Sequence, residues 1–521
     1  MSENSIKITI LSVSLILTAG VGTSLAQVTG ANPNNRLLYS NQATLFGDYG
    51  QPLDPVSLIL PGTAFGAGFG SYQDNPASAA FFRESFGEAG FSLRSVEEES
   101  IYRGNSRLAD DQQTTLSNLG VVYVFPTTRG SLVAGAGYTQ HSSFNRALSL
   151  RARNNVSSIT DNFKTPGSSY ADIAFNTFAT DYGDEFQDWD ESIFRIGFDQ
   201  PGDFLGIDQN AEIFESGYGG EFSAFLGTEI RKNLMIGFSL GLLNGNYTYT
   251  RAFQEIDGFN DYSSDFLDVD GDGTGETDID RILLDDRIEV DYSGIRLRLG
   301  AIYKINKHLN AGASYAFGTR IQVDELFSAN IATTFDNGEM FEDDIDSEFR
   351  YFFTFPARTS LGLAVTDYKG LTISASAEYV DYSGTEIDFV QSRLLEDQQI
   401  ENEFISETFS PVWNVRVGAA YDLSPFATLR GGFAVYPDKF ETSDNDRGVL
   451  LFGAGFTLTD NVRLELAAQY TNWEETSAVY DYAEYDYSDL PDSSPSFTIG
   501  SENANRNADR WNMLATIKFG L

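Results

Sequence analysis

The sequence predicts an all-β chain folded as a 14-stranded antiparallel transmembrane β-barrel. Hydrophobicity alternates with a period of two over most of the chain, and short and long connections between the alternating segments take turns. No segment beyond the N-terminus offers the roughly 20 uninterrupted apolar residues that a membrane-crossing helix needs. Outer-membrane barrels sort their hairpins in this way, with tight turns on the periplasmic side and large loops outside. A soluble sandwich has no reason to.

Composition agrees. The 521 residues carry 34 Lys+Arg against 75 Asp+Glu, a net charge of −41, with two His and no Cys. That balance argues against nucleic-acid binding, which needs a basic face. Without cysteine there is no disulfide framework, thiolate metal site or lipidated N-terminal Cys. An aromatic content of 14% with 48 Gly and only 8 Lys is odd for a soluble protein.

Residues 1–26 read as a signal peptide. Lys7 precedes an apolar run from Ile8 to Ala19, and Ser24-Leu25-Ala26 supplies the small-x-small cleavage pattern before Gln27. The expected location is the outer membrane of a bacterium. Residues 27–86 then precede the first strand and are too many for a lead-in. They contain Phe65-Gly66-Ala67-Gly68-Phe69-Gly70 and Asp74-Asn75-Pro76-Ala77-Ser78-Ala79.

The barrel is expected over 87–521. Its strands fall near 88–103, 115–126, 131–148, 218–230, 233–254, 284–304, 308–326, 346–367, 370–387, 406–422, 426–438, 447–458, 461–478 and 508–520. Long acidic loops are expected near 104–114, 149–217, 255–283, 327–345, 388–405, 439–446 and 479–507. Six strands share aliphatic-x-aliphatic-x-Ala-x-Tyr, for example Leu297/Leu299/Ala301/Tyr303 and Ile373/Ala375/Ala377/Tyr379. The face ending in Tyr suits lipid, and the tyrosines form two girdles around an apolar band of about 25 Å. Interleaved residues such as Arg296, Arg298, Gly312, Ser374, Arg416 and Glu465 then face the lumen.

Three motifs concern chemistry. Asp268-Val269-Asp270-Gly271-Asp272-Gly273 places Asp268, Asp270 and Asp272 where a calcium loop has ligands, but position 12 would be Ile279. A calcium site and a solvated acidic loop tip both remain open. Gly66-x-Gly68 lacks the Gly-Lys-Ser/Thr of a phosphate-binding loop. His141 and His308 lie near opposite rims and form no joint catalytic or metal site, so no enzyme and no required cofactor are expected.

The Asn-Pro-Ala segment before strand one resembles that of the FadL/TodX family of outer-membrane transporters for long-chain fatty acids and aromatic hydrocarbons. So do Phe355-Pro356-Ala357-Arg358-Thr359-Ser360 running into Ala377-Glu378-Tyr379, and Val415-Arg416-Val417-Gly418-Ala419-Ala420-Tyr421 running into Leu429-Arg430-Gly431-Gly432-Phe433. The resemblance implies an N-terminal hatch over 27–86, with Asn75, Pro76 and Ala77 in its motif, plugging the barrel. It further implies passive transport of a hydrophobic small molecule, with capture by external loops, a pocket above the hatch and lateral exit at a distorted third strand.

Carried onto this chain, capture falls to the loop between strands three and four, which bears Phe175, Phe178, Trp189, Phe194 and Phe198. Packing of that loop on itself is equally open. Gly135 and Gly137 in strand three are candidates for the lateral gate, because glycine inside a strand often marks a bend. A fatty-acid carboxylate would need a lumen cation. Arg296, Arg298, Arg358, Arg416 and Arg430 have the right parity. Expected partners are the ligand, outer-membrane lipid and lipopolysaccharide, with a monomer as the assembly. A general porin and a structural or adhesive surface barrel are the alternatives.

Overall fold

Eighteen strands form one antiparallel sheet that meets itself. The computed structural model describes residues 33–47, 52–165, 168–182, 190–196, 203–262, 277–391, 394–440, 446–486 and 496–521. Its strands are β1 (Phe86–Tyr102), β2 (Asn105–Phe125), β3 (Leu132–Ser143), β4 (Arg146–Asn154), β5 (Thr180–Tyr182), β6 (Asp190–Ser192), β7 (Ile207–Arg231), β8 (Leu234–Ile256), β9 (Ile279–Lys304) and β10 (Leu309–Ala316). They continue with β11 (Thr319–Phe335), β12 (Met340–Phe355), β13 (Arg358–Tyr368), β14 (Leu371–Asp381), β15 (Glu386–Phe389), β16 (Pro411–Ser424), β17 (Ala427–Tyr436), β18 (Arg447–Thr459), β19 (Val462–Asp486) and β20 (Ser496–Gly520). β5 and β6 make a separate hairpin. β1 pairs with both β2 and β20, so the sheet closes on itself. That closure is what lets strands cross lipid with every backbone group satisfied.

Four staves of the barrel are each built from two strands: β3 with β4, β10 with β11, β12 with β13, and β14 with β15. Eighteen strands therefore give fourteen staves. The breaks have local causes. Pro356 offers no N–H to the ladder between β12 and β13, and the short 3-10 turn Tyr382–Gly384 parts β14 from β15. A bulge between Gln140 and Ser142, followed by Phe144-Asn145, parts β3 from β4.

The two faces sort as their sequence requires. Leu297, Leu299, Leu361, Leu363, Val415 and Val417 are exposed toward lipid, while Arg296, Arg298 and Arg416 between them are buried inside. Tyr470 packs against Trp511 and Tyr379 against Trp413 in the aromatic girdle.

The strands run further than the apolar alternation does. Of residues 104–114, expected as an outer loop, 105–114 are part of β2, which is joined to β1 by the two-residue turn Arg103-Gly104 with positive φ at both positions, 47° and 81°. β7 begins at Ile207 rather than near 218, and β20 at Ser496 rather than near 508. Above the membrane the outer face is wet. Polar residues then occupy both faces of a strand whose backbone ladder continues, and the period-two signal fades. We call this outer extension the collar.

Residues 33–47 and 52–85 do not join the wall. They form α1 (Pro33–Gly47), α2 (Pro55–Ile59), α3 (Ser71–Asp74) and a 3-10 turn at Pro76–Phe81. Asp54 caps α2 by accepting from Val56 and Ser57 and also accepts from the Gly70 N–H at 3.1 Å, tying the two halves of the segment together.

Candidate functional site

The inner segment touches most of the wall through glycines. A Cβ on Gly418 would strike the Ile59 carbonyl, one on Gly312 the Thr63 carbonyl, one on Gly237 the Ala77 amide, and one on Gly120 the Phe69 ring. These residues lie on four different staves around the ring, so residues 52–85 cross the lumen as a floor. Asn75 is fully buried at its centre. Its amide donates to the carbonyls of Thr63 (2.7 Å), Ala301 and Ala313 (both 3.2 Å), while its Oδ1 accepts from the Ala77 N–H. Pro76 opens the 3-10 turn that Asn75 caps, and Gly237 leaves room for the Pro76-Ala77 backbone. The Asn75-Pro76-Ala77 motif thus fastens the floor to β9 and β10.

Above the floor the lumen forms an apolar chamber filled by packed side chains. Phe144, Leu243, Tyr247, Val290, Tyr292, Ile321, Val323 and Phe353 line it, and Tyr39, Ala43 and Phe46 of α1 fill its centre. Nothing in the period-two pattern marks α1, since its contacts come from many staves.

The described parts of the 155–206 loop pack inside the collar. α4 (Thr160–Phe163), α5 (Ala171–Asn176) and the β5–β6 hairpin pack into it around Phe163, Ile173, Phe194, Phe253, Ile282 and Phe335. Phe194 is fully buried, Phe178 lies edge-on to Phe341 (4.9 Å), and half-buried Phe175 packs on Tyr182 (5.0 Å). Trp189 and Phe198 lie outside the described residues, as do Asp268, Asp270 and Asp272.

Polar anchors hold this loop down. Glu255 accepts from the Ser158 hydroxyl, the Ile159 N–H (2.8 Å) and Gln209 Nε2 (2.7 Å). Burial pushes its carboxyl up to about 7, against the downward pull of those bonds. Asp161 shows the opposite balance. Burial acts to raise it, but Lys164 (2.9 Å) and Arg195 (2.7 Å) hold it well below the usual carboxylate range.

Among the described residues, the wall is unladdered in one stretch beside the chamber, between the second and third staves. β2 and β3 pair only from Asn118↔Thr139 down to Phe125↔Leu132. Above that level β4 pairs with β7 alone and leans inward over β1, where Ser100 donates to the Ser149 carbonyl and Arg146 reaches Glu98. Side chains alone bridge the seam: Thr115 to Gln140 (2.6 Å), Ser143 to Gln113 (3.4 Å) and Asn145 to Asp111 (2.7 Å). Gly135 and Gly137 lie below it, in regularly paired strand. There they admit the rings of Phe225 and Phe69, respectively.

All five lumen arginines expected from parity have polar partners. Arg298 forms a two-pronged pair with Glu221 (2.7 Å each), and Arg296 stands 3.5 Å from the same carboxylate. Arg358 meets Glu378 (3.1 Å) and the Gly47 carbonyl (2.7 Å). Arg416 meets Asp74 (2.7 Å) and so fastens the floor, and Arg430 meets Glu465 (2.6 Å). These arginines brace the barrel and its floor.

Comparison with known proteins adds a family. The model of the family described as outer membrane protein transport protein (OMPP1/FadL/TodX) matches residues 226–496. No curated protein sequence matches the chain. Among solved structures, the chain is similar to the Pseudomonas putida toluene transporter TodX at 13% identity, covering 91% of this chain and 98% of that one with a TM-score of 0.47. It is similar to the Ralstonia pickettii toluene transporter TbuX at 15% identity, over 91% and 100% of the two chains with a TM-score of 0.46. A Pseudomonas aeruginosa FadL homologue shows 12% identity over 90% and 97%, with a TM-score of 0.44.

Proposed function

Since the chain belongs to the OMPP1/FadL/TodX family of outer-membrane transport proteins, we propose that it carries hydrophobic small molecules, fatty acids or hydrocarbons, by a hatch-gated lateral route. The 155–206 loop takes the molecule from outside, the chamber around α1 holds it, and the floor of residues 52–85 acts as the hatch. Exit runs sideways through the seam between β2 and β4.

The unladdered seam carries this reading. A gap bridged only by side chains opens without breaking a backbone ladder, and it sits beside an apolar chamber whose downward path is blocked. An apolar cargo gains by leaving into lipid rather than into the aqueous periplasm. The ion-paired lumen walls brace the barrel while the seam works.

The absence of native cysteine makes the test clean. Gln113→Cys with Ser143→Cys locks the seam by a disulfide. Uptake of labelled oleate and toluene by cells is expected to fall on oxidation and to return on reduction. Undiminished uptake by the locked barrel would sink the lateral route.

A further inference from the structure

Buried acids of the collar carry cationic partners. Asp161 has Arg195 at 2.7 Å, Asp286 has Arg251 at 2.8 Å, and Glu502 has Arg103 at 2.5 Å. Asp278 departs from this. It lies just before β9 and is fully buried, yet among the described residues neither of its carboxylate oxygens meets a hydrogen-bond donor.

What it meets is a second acid. Asp336 opens the turn between β11 and β12, and its N–H donates to the Asp278 carbonyl at 3.0 Å, while the Asn337 N–H donates to Thr277 Oγ1 at 3.2 Å. One step along, Ile279 and Phe335 are partners in the ladder between β9 and β11. The two segments are fixed side by side, and the Asp336 carboxyl reaches that of Asp278. Burial, the facing Asp336 and the more distant charge of buried Asp257 all push the Asp278 carboxyl up from its ordinary range.

The basic residues nearest in the fold are committed elsewhere. Arg281 stands 3.7 Å from Asp280, and Arg153 meets Asp208 (3.5 Å) and Asp261 (3.1 Å). A buried carboxylate without a partner is costly, and two that face each other repel. A divalent cation from outside relieves both at once, since two carboxylates match its charge. The donors here are hard oxygens, and Asp278 has both of its own to offer, which suits calcium with its bidentate carboxylates and irregular shell better than the strictly octahedral magnesium. Asp336 is exposed, so water has access to complete the shell.

We propose that Asp278 and Asp336 form a calcium site at the outer end of the collar, clamping the end of the β8–β9 connection to the β11–β12 turn. It is separate from the Asp268, Asp270 and Asp272 motif and independent of what the barrel carries. The clamp also steadies the 155–206 loop, because Phe335, next to Asp336, is packed by Phe178 of that loop with ring centroids 6.4 Å apart.

Calcium itself is the probe. The purified full-length protein in non-ionic micelles, stripped by chelator and dialysed into about 0.15 M salt to screen the diffuse charge of the chain, is titrated with calcium chloride in a calorimeter. One saturable site per chain is expected, with a Kd on the order of 10⁻⁴–10⁻³ M, as in extracellular calcium modules. Asp278→Asn with Asp336→Asn should weaken it about tenfold or more. Asp344→Asn with Asp346→Asn, which removes the same charge from the exposed face of β12, should bind as the native protein does. So should Asp268→Asn with Asp270→Asn and Asp272→Asn. Native affinity in the Asp278/Asp336 variant, loss of the site in the Asp268/Asp270/Asp272 variant, or no saturable site in the native protein each overturns the proposal. Heat-dependent gel mobility checks that the variants fold. A second measurement needs no variant: calcium should slow amide exchange in the native protein over residues 277–282 and 333–337, and equal exchange there with and without calcium overturns the clamp.

Discussion

Phe144, where the third stave breaks, lies edge-on to Phe46 of α1, with ring centroids 5.9 Å apart and planes at 77°. The residue that ends the regular wall is thus in contact with the helix that fills the chamber. Displacing α1 and loosening the seam share this contact.

Phe46→Ala tests the link. Removing a buried ring costs about 3 kcal/mol, which corresponds to roughly 100-fold faster amide exchange over residues 39–47. Exchange at Ser142 and Ser143 is expected to rise with it. Faster exchange in the helix alone would show that the two move separately.

Gly418→Leu should open the floor. Its Cβ has no room beside the Ile59 carbonyl, whereas a Cβ on Gly431 meets only the Leu451 carbonyl at 3.8 Å. Planar-bilayer conductance is expected to increase for Gly418→Leu and to stay at the native level for Gly431→Ala. Both should keep the heat-dependent gel shift of a folded barrel.

The collar loop should loosen with rising pH. Burial pushes the docked Glu255 carboxyl up from its ordinary 4.5 to about 7, so the docked state binds the extra proton between those values. Docking stability is then full below about pH 4.5, falls as pH rises through 7, and is flat above, a loss on the order of 3 kcal/mol. Amide exchange across residues 157–163, measured from pH 5 to 8 and corrected for intrinsic rates, should follow this curve. Glu255→Gln should flatten it.

Glu221 anchors two arginines, so Glu221→Gln should strip both of their carboxylate and destabilise the barrel by about 3–5 kcal/mol. Urea unfolding from vesicles measures this. Replacing Glu221, Arg296 and Arg298 together by apolar residues should recover much of the loss.

What was legible in the sequence follows from which environments differ. Lipid lies outside Leu297 and Leu299 and a polar lumen inside Arg296 and Arg298, so the parity and the stave count could be read directly. Once both faces were wet, as over 105–114, strand and loop looked alike. Asn75-Pro76-Ala77 stood out as a motif, yet the carbonyls it fastens, Ala301 and Ala313, are more than 200 residues away. Arg296, Arg298, Arg358, Arg416 and Arg430 were visible by parity, but the carboxylate or carbonyl that each one meets required the register of neighbouring staves. Gly135 and Gly137 drew attention as bend sites, while the actual interruption is written in Gln140, Ser143 and Asn145, ordinary polar residues whose partners only the fold supplies. Lumen glycines such as Gly237, Gly312 and Gly418 carried a signal in plain view: a wall stripped of side chains where another chain segment must pass.

The length of the strands has a consequence for where cargo is met. β9 has 26 residues; at roughly 3.3 Å each and a tilt of about 40°, it climbs about 65 Å, against an apolar band of about 25 Å. Roughly 40 Å therefore stands above the lipid like a chimney. On the proposed route, a hydrophobic molecule is therefore met well outside the lipid, before it has dissolved in the outer leaflet. Trimmed to membrane height, the same barrel would still have a chamber and a seam, but its mouth would open at the lipid surface.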